Sequence, residues 1–320
     1  MSSFTDLWVD KYKPSCLDEI TGNKEIIDSL KIISLNHTLP NMIFAGNSGT
    51  GKTSSAMCLV KEIYGENYFE RIIELNASDD LRKIDVVRDR IDNFVKKKCG
   101  EKIVIFDEAD NMTKQVQHSL RSIMDKYYKT TRFILICNTL ANLIESIQSR
   151  CMIVKFSKLK KEDICKRLDI IIEKENITYT DEGIDAICLC SRGDMRMVLN
   201  NLQSVKISFG EITEENVYKV IDIPHPSTIT KLLKFCLECD IISAIDLLCN
   251  IHQCGYTPID IIETLFQICS NTDLIIDKKK IEYIKIISNT HILIADGLDT
   301  FNQLVGCISE LCDVCNVCDV

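Results

Sequence analysis

The chain is short of positive charge. Its 320 residues hold 38 Lys+Arg against 47 Asp+Glu, a formal net charge of -9. Taken whole, that balance argues against a protein that coats nucleic acid with a general basic surface. No uninterrupted apolar run reaches the roughly 18 residues that a membrane span needs, so no membrane partner is expected. The opening MSSFTDLWVDKYKP has no basic leader followed by an apolar stretch, which predicts an intracellular protein. Internal repeats and low-complexity tracts are missing as well, which excludes a repeat architecture.

Cysteine is plentiful, at 17 residues. Cys58, Cys137, Cys188, Cys190, Cys236 and Cys269 lie inside apolar helix- or strand-like runs, where a thiol behaves as a small hydrophobe. Buried thiols are expected rather than a disulfide framework. The tail CISELCDVCNVCDV places Cys312, Cys315 and Cys318 at C-x-x-C-x-x-C spacing near Cys307. Three thiolates there suit zinc, but no histidine lies nearby, and a helix end running into a frayed tail fits the same spacing.

The charge deficit is unevenly spread. Residues 1–156 carry 22 Lys+Arg against 21 Asp+Glu, a net of +1. Residues 157–224 carry 10 against 13, and residues 225–320 carry 6 against 13. The acidity therefore belongs mostly to the last third, and a polyanion is still able to approach a local basic surface in the first part.

Residues 1–156 alternate two patterns. MIFAG (42–46), RIIELNA (71–77), KIVIFDEAD (102–110), RFILICN (132–138) and MIVKF (152–156) read as strands separated by helical segments. Apolar strands of this kind predict a parallel sheet covered on both faces, an α/β nucleotide-binding module. From Lys158 the spacing becomes helical, which predicts a small helical domain over 157–224. IDIPHPST (221–228), with Pro224 and Pro226, reads as a linker, and a third, all-helical domain is expected over 225–320.

GNSGTGKT follows the first strand and opens a helix, matching G-x-x-x-x-G-K-[ST] in full. Gly46, Asn47, Ser48, Gly49, Thr50 and Gly51 form a loop whose N–H groups curl around phosphates, and the helix start, with Ser54 next in line, adds a favourable dipole. Lys52 is expected to reach the β- and γ-phosphates of ATP, and Thr53 to ligate Mg²⁺. IVIFDEAD delivers Asp107 and Glu108 to the C-terminal edge of the sheet: Asp107 for Mg²⁺, Glu108 for the attacking water. The plainer alternative, two acids capping the next helix, is weak beside a phosphate loop. Asn138 ends another strand within reach of a γ-phosphate or lytic water. Arg196, in GDMR, is either a helix-surface cation or a lid arginine that closes over nucleotide. Arg150, in IQSRC, sits between an apolar helical run and a strand, and nothing local asks for it.

WVDKYKP, GNSGTGKTSS, ELNASDD, DEADNMT, ICN, QSRC and GDMR stand in the order found in eukaryotic replication factor C small subunits, and the chain resembles that family end to end. These are AAA+ clamp-loader ATPases. With PHP (224–226) and GYTPIDII (255–262), the chain most resembles the subunit whose collar carries a GYSPEDII-type stretch.

The resemblance implies a RecA-like AAA+ module, a helical lid and a helical collar in a five-membered ring. It implies ATP and Mg²⁺ as cofactors. As partners it implies the other replication factor C subunits, the sliding clamp PCNA and primer–template DNA, and as location the nucleus. By the same resemblance Val9 and Thr21 contact base and ribose, although Thr21 stands where the family pattern has valine. Asn138 and Arg196 act as sensors, and Arg150 acts in trans as the arginine finger of the SRC motif. DNA contact falls to Arg82, Arg88 and Lys114. Here ASDDLRKIDVVR departs from the usual ASDDRGIDVVR, with Leu81 inserted and Lys83 in place of glycine. Two other functions fit less well. A largely structural ring subunit conflicts with the intact Lys52, Thr53, Asp107 and Glu108. Another AAA+ DNA motor, such as a branch-migration helicase, conflicts with WVDKYKP and the acidic C-terminal third.

Overall fold

The structure is a computed structural model and describes residues 7–76, 84–96, 100–272, 275 and 277–317. The chain forms two compact units, Met1–Glu214 and Glu215–Val320.

The first unit is built on five parallel strands: β1 (Met42–Gly46), β2 (Ile72–Asn76), β3 (Lys102–Asp107), β4 (Thr131–Cys137) and β5 (Met152–Phe156). Their order across the sheet is β2-β3-β4-β1-β5. All five strands expected from the sequence are present, because each is a short β-branched or aromatic run bounded by turn residues. Side chains alternate between faces, so one continuous apolar run feeds two cores. Met42, Phe44, Ile103, Ile105, Ile134 and Ile136 pack with Ile27 and Leu30 of helix Lys24–Leu35 and with Ala56, Leu59 and Val60 of helix Lys52–Tyr64. Ile43, Ala45, Val104, Phe106, Phe133 and Leu135 face the other way. There they meet Ile91 and Phe94 of helix Ile84–Lys96 and Val116, Leu120 and Ile123 of helix Lys114–Lys126. Each fully buried Ile or Phe contributes about 1.5–3 kcal/mol.

Lys102 is only 2% exposed at the start of β3. It is held there because its ammonium donates to the carbonyls of Phe94 (2.9 Å) and Val95 (2.6 Å), near the C-terminus of helix Ile84–Lys96. Terminal helix carbonyls need such donors.

The same unit continues with helices Lys161–Glu175, Asp181–Ser191 and Met195–Phe209. Ile164, Leu168, Ile171 and Ile172 form the buried stripe of the first, at helical spacing. The sequence offers no strong strand here, yet Thr178–Tyr179 and Glu211–Ile212 form a two-residue parallel pair. Two residues are too few to register as alternation.

The second unit contains helices Pro226–Leu237, Ile241–Gln253, Pro258–Asn271, Asp277–Ala295 and Phe301–Val317 around one core that includes Leu232, Leu265, Tyr283 and Leu311. Two of these starts are legible chemistry. Pro226 and Pro258 occupy first-turn positions where no N–H is needed, and Thr257 and Asp260 exchange capping hydrogen bonds. The six cysteines expected inside are all buried thiols. Cys307 and Cys312 join this core on the last helix, Cys315 lies on that helix with its side chain outside the described residues, and Cys318 is outside them altogether. Among the described residues no group of three or more metal-ligating side chains assembles. No described helix is long and apolar enough to cross a membrane.

Candidate nucleotide site

Parallel strands bring their C-terminal ends to one edge, and loops there form a crevice. A cavity of about 380 Å³ lies at that edge of the first unit, a volume that suits a small-molecule site. Ser48, Gly49, Thr50, Gly51, Lys52, Thr53 and Ser54 line it from the loop after β1. Asp107 and Glu108 line it from the end of β3, Asn138 from the end of β4, and Arg196 from the helix Met195–Phe209. Val9 and Thr21 line it from the N-terminal segment.

The polar groups are already interlocked. The Lys52 ammonium donates to the carbonyls of Gly46 (2.6 Å) and Asn47 (2.7 Å) and to Oδ1 of Asn138 (3.0 Å). Gly46 and Asn47 thus support the lysine from behind the cavity rather than lining it. Burial pushes the Lys52 ammonium below its usual 10.5, and the Asp107 carboxylate works against that shift. The Thr53 hydroxyl lies 3.1 Å from Oδ2 of Asp107, whose Oδ1 accepts the Glu108 N–H at 2.9 Å.

The strand stops at Asp107 because Glu108 turns to φ +54°, the left-handed region, which a non-glycine residue enters at a cost. That turn frees its carboxylate from the sheet, and Asn111 Nδ2 holds it at 3.2 Å. The turn also carries Asp110, whose Oδ2 accepts the N–H groups of Asn138 and Thr139, both at 3.1 Å. One carboxylate therefore ties the end of β4 to the loop after β3.

The helical part closes over the loop. Met195 N–H donates to the Gly49 carbonyl at 3.1 Å, and Asp194 caps its helix by accepting from the N–H groups of Arg196 (2.8 Å) and Met197 (3.2 Å). Gly49 falls at an unconstrained position of the phosphate-loop pattern, yet a side chain there is strained and must displace Asp194. Its φ is +63°, and a Cβ would lie 1.7 Å from Oδ1 of Asp194. The N-terminal segment is fastened to the same helices. Trp8 N–H donates to Gln203 Oε1 at 2.9 Å, and Glu175 accepts from the Tyr12 hydroxyl at 2.6 Å and pairs with Lys11. The Arg167 guanidinium reaches the Tyr12 carbonyl at 2.9 Å. Asp10, Tyr12, Lys13 and Pro14 also line the cavity, where the sequence pointed within WVDKYKP to Val9 alone, and Arg167 lines it from the helix Lys161–Glu175. The signal of the first four was present in WVDKYKP but had no partner until that helix folded beside it.

Arg150 is not among the residues lining this cavity. It sits between the short helix Glu145–Gln148 and β5, paired with Asp125. Lys114 is exposed in the first turn of its helix. Arg82 lies outside the described residues, and Arg88 is on helix Ile84–Lys96 with its side chain outside them.

Fold and site together define an AAA-type P-loop nucleotide-binding module. The family model for the ATPase family associated with various cellular activities (AAA) matches residues 42–159, and the one for the replication factor C C-terminal domain matches residues 224–310. Replication factor C subunit 2 of Arabidopsis thaliana is 42% identical over 313 residues, covering 96% of this chain and 93% of that protein. Replication factor C subunit 4 of Saccharomyces cerevisiae is 42% identical over 310 residues, covering 95% of each chain. The replication factor C small subunit of Staphylothermus marinus is 38% identical over 311 residues, with 95% of this chain and 94% of that protein covered. The chain belongs to the replication factor C family of AAA ATPases, as a small subunit of the clamp loader. Among solved structures, the Holliday junction branch migration motor RuvB of Thermotoga maritima matches 71% of this chain and 80% of its own at a TM-score of 0.56. At 19% identity that likeness speaks for the fold alone.

Proposed function

We propose that this subunit binds ATP with Mg²⁺ in the cavity and hydrolyses it to open the sliding clamp PCNA and place it on primer–template DNA, within a ring of replication factor C subunits in the nucleus. The carrying observation is that Lys52, Thr53, Asp107, Glu108 and Asn138, delivered by three different strands, meet at one cavity.

The Thr53 hydroxyl and Asp107 carboxylate form an oxygen-only donor set that suits a small hard cation. Mg²⁺ held by them would supply neutralisation of phosphate charge. Lys52 exchanges its loop carbonyls for phosphate oxygens, so the loop opens only when a better acceptor arrives. Glu108, released from Asn111, orients and deprotonates the attacking water. Asn138, held between Lys52 and Asp110, senses the γ-phosphate. Arg196 closes from the lid, while Val9 and Thr21 hold base and ribose. Arg150, paired away from its own cavity, serves a neighbouring subunit's γ-phosphate. Residues 1–156, 157–224 and 225–320 act as ATPase module, lid and ring-forming collar. Arg82, Arg88 and Lys114 meet DNA phosphates, independently of sequence.

The test is co-purification with the other subunits and PCNA, followed by ATP-dependent loading of the clamp on primed DNA. A complex that forms without this chain, or loads equally well with Lys52→Ala in it, contradicts the proposal.

A further inference from the structure

Asp125 lies in the last turn of helix Lys114–Lys126, a place where the helix dipole disfavours a carboxylate. Its neighbours explain it. Oδ1 accepts from Arg150 Nε at 2.9 Å and Oδ2 from Arg150 Nη2 at 3.4 Å, while Arg121 Nε stands 3.8 Å from Oδ2. On its other side Arg150 Nη1 donates to the Ser146 carbonyl at 2.8 Å.

A guanidinium carries five N–H groups in a rigid plane. Asp125 takes two along the Nε edge and Ser146 takes one, which leaves one N–H on each terminal nitrogen, at the outer end of the plane. That outer edge is the fork that matches two oxygens of a phosphate. The side chains of Arg150 and Asp125 are 33% and 50% exposed, so the pair contributes little to stability. Its effect is on direction: a long flexible side chain is fixed in one orientation with an N–H left over on each terminal nitrogen.

We infer that Asp125 is a positioning residue for Arg150, holding the guanidinium side-on so that its outer edge meets the phosphate of a nucleotide bound in the adjacent subunit. This rests on the reading of Arg150 as a trans-acting arginine. Orientation and charge make opposite predictions here. Removing the Asp125 charge leaves a more positive surface, so charge alone predicts equal or faster hydrolysis next door. Positioning predicts slower hydrolysis, because misdirection of a reacting group is costly even when it stays nearby.

The experiment uses assembled rings in which every P-loop lysine except that of the adjacent subunit is replaced by alanine. ATP turnover at the remaining site is then compared for Asp125→Asn, Asp125→Glu, Arg150→Ala and the double variant Asp125→Asn/Arg150→Ala. Asp125→Asn is expected to lower kcat about tenfold with little change in KM. Asp125→Glu should restore most of the loss, and the double variant should be no slower than Arg150→Ala. Thermal melting of this subunit should hardly move in any of them. If Arg150→Ala is slow while Asp125→Asn turns over normally or faster, the positioning role is wrong and the trans arginine stands. Losses that multiply in the double variant also overturn the positioning role. If Arg150→Ala itself has no effect there, nor in the ring that keeps only the other neighbour's P-loop lysine, the trans reading falls and the positioning role with it.

Discussion

Gly49→Ala tests how the helix Met195–Phe209 meets the phosphate loop. At φ +63° an alanine pays for the left-handed backbone by about 1 kcal/mol. Its Cβ would also stand 1.7 Å from Oδ1 of Asp194, so that carboxylate must leave. Asp194 is fixed by its two capping hydrogen bonds, and displacing it forfeits a cap of about 1 kcal/mol. The single change should therefore destabilise the first unit by about 2 kcal/mol, a fall in Tm of about 4 to 8 °C for a unit of this size. Asp194→Ala alone loses only the cap, about 1 kcal/mol. In the double variant the collision is gone, so the total should stay near 2 kcal/mol rather than reach about 3. Thermal unfolding of the four proteins measures this directly. Strictly additive losses would show that the Asp194 carboxylate does not sit against the loop, and the contact between that helix and the phosphate loop would be wrong.

Three further outcomes follow from other contacts. The side chain of Gln117, 1% exposed, bonds to the carbonyls of Met112 and Asn142 (3.0 Å each) and the N–H of Ile144 (2.8 Å). Gln117→Leu leaves these backbone groups unpaired, so Tm should fall by an amount equivalent to about 3 kcal/mol, and a fall under about 1 kcal/mol would refute the bridge. The Lys11 and Tyr12 hydrogen bonds hold the Glu175 carboxyl below its usual 4.5. A depressed carboxylate stabilises above its unfolded pKa and loses that contribution as pH falls through the lower folded value. The emission of Trp8, the single tryptophan, should thus hold as pH falls past the ordinary carboxylate range and shift red only at the lower folded value, before far-UV ellipticity is lost. Glu175→Gln should show the shifted emission already at neutral pH; unshifted emission there would separate Glu175 from the anchoring of the N-terminal segment. In rings carrying Arg150→Ala, ATP binding to this subunit should be unchanged while hydrolysis at one neighbour falls roughly 10³-fold, and weakened binding at its own P-loop would contradict action in trans.

The phosphate loop and the five strands were legible because their signals are local: a glycine pattern between a strand and a helix, and short apolar runs ended by turn residues. Lys52, Thr53, Asp107 and Glu108 come from such runs, and they meet because parallel strands share an edge. What escaped the sequence was long-range pairing. Asp125 is 25 positions from Arg150 and reads as an ordinary surface acid until the fold brings them together. Asp110 lies inside a motif whose first two acids drew the attention, and its hold on the Asn138 and Thr139 N–H groups appears only when β3 and β4 pair. Gly49 looks optional by pattern and is made costly to replace by Asp194, 145 residues on. The N-terminal WVDKYKP was recognised as a motif, but its attachment to Glu175 and Gln203 depends on helices formed late in the chain.

The central claim is that this chain hydrolyses ATP at its own P-loop when assembled. The most direct measurement is ATP turnover in rings whose only intact P-loop is that of this subunit, with the wild-type chain, Lys52→Ala and Glu108→Gln compared beside their ATP binding. The account predicts turnover that rises when PCNA and primed DNA are added, loss of both binding and turnover with Lys52→Ala, and retained binding with turnover lost for Glu108→Gln. Background turnover in the wild-type ring, or wild-type turnover with Glu108→Gln, would contradict it.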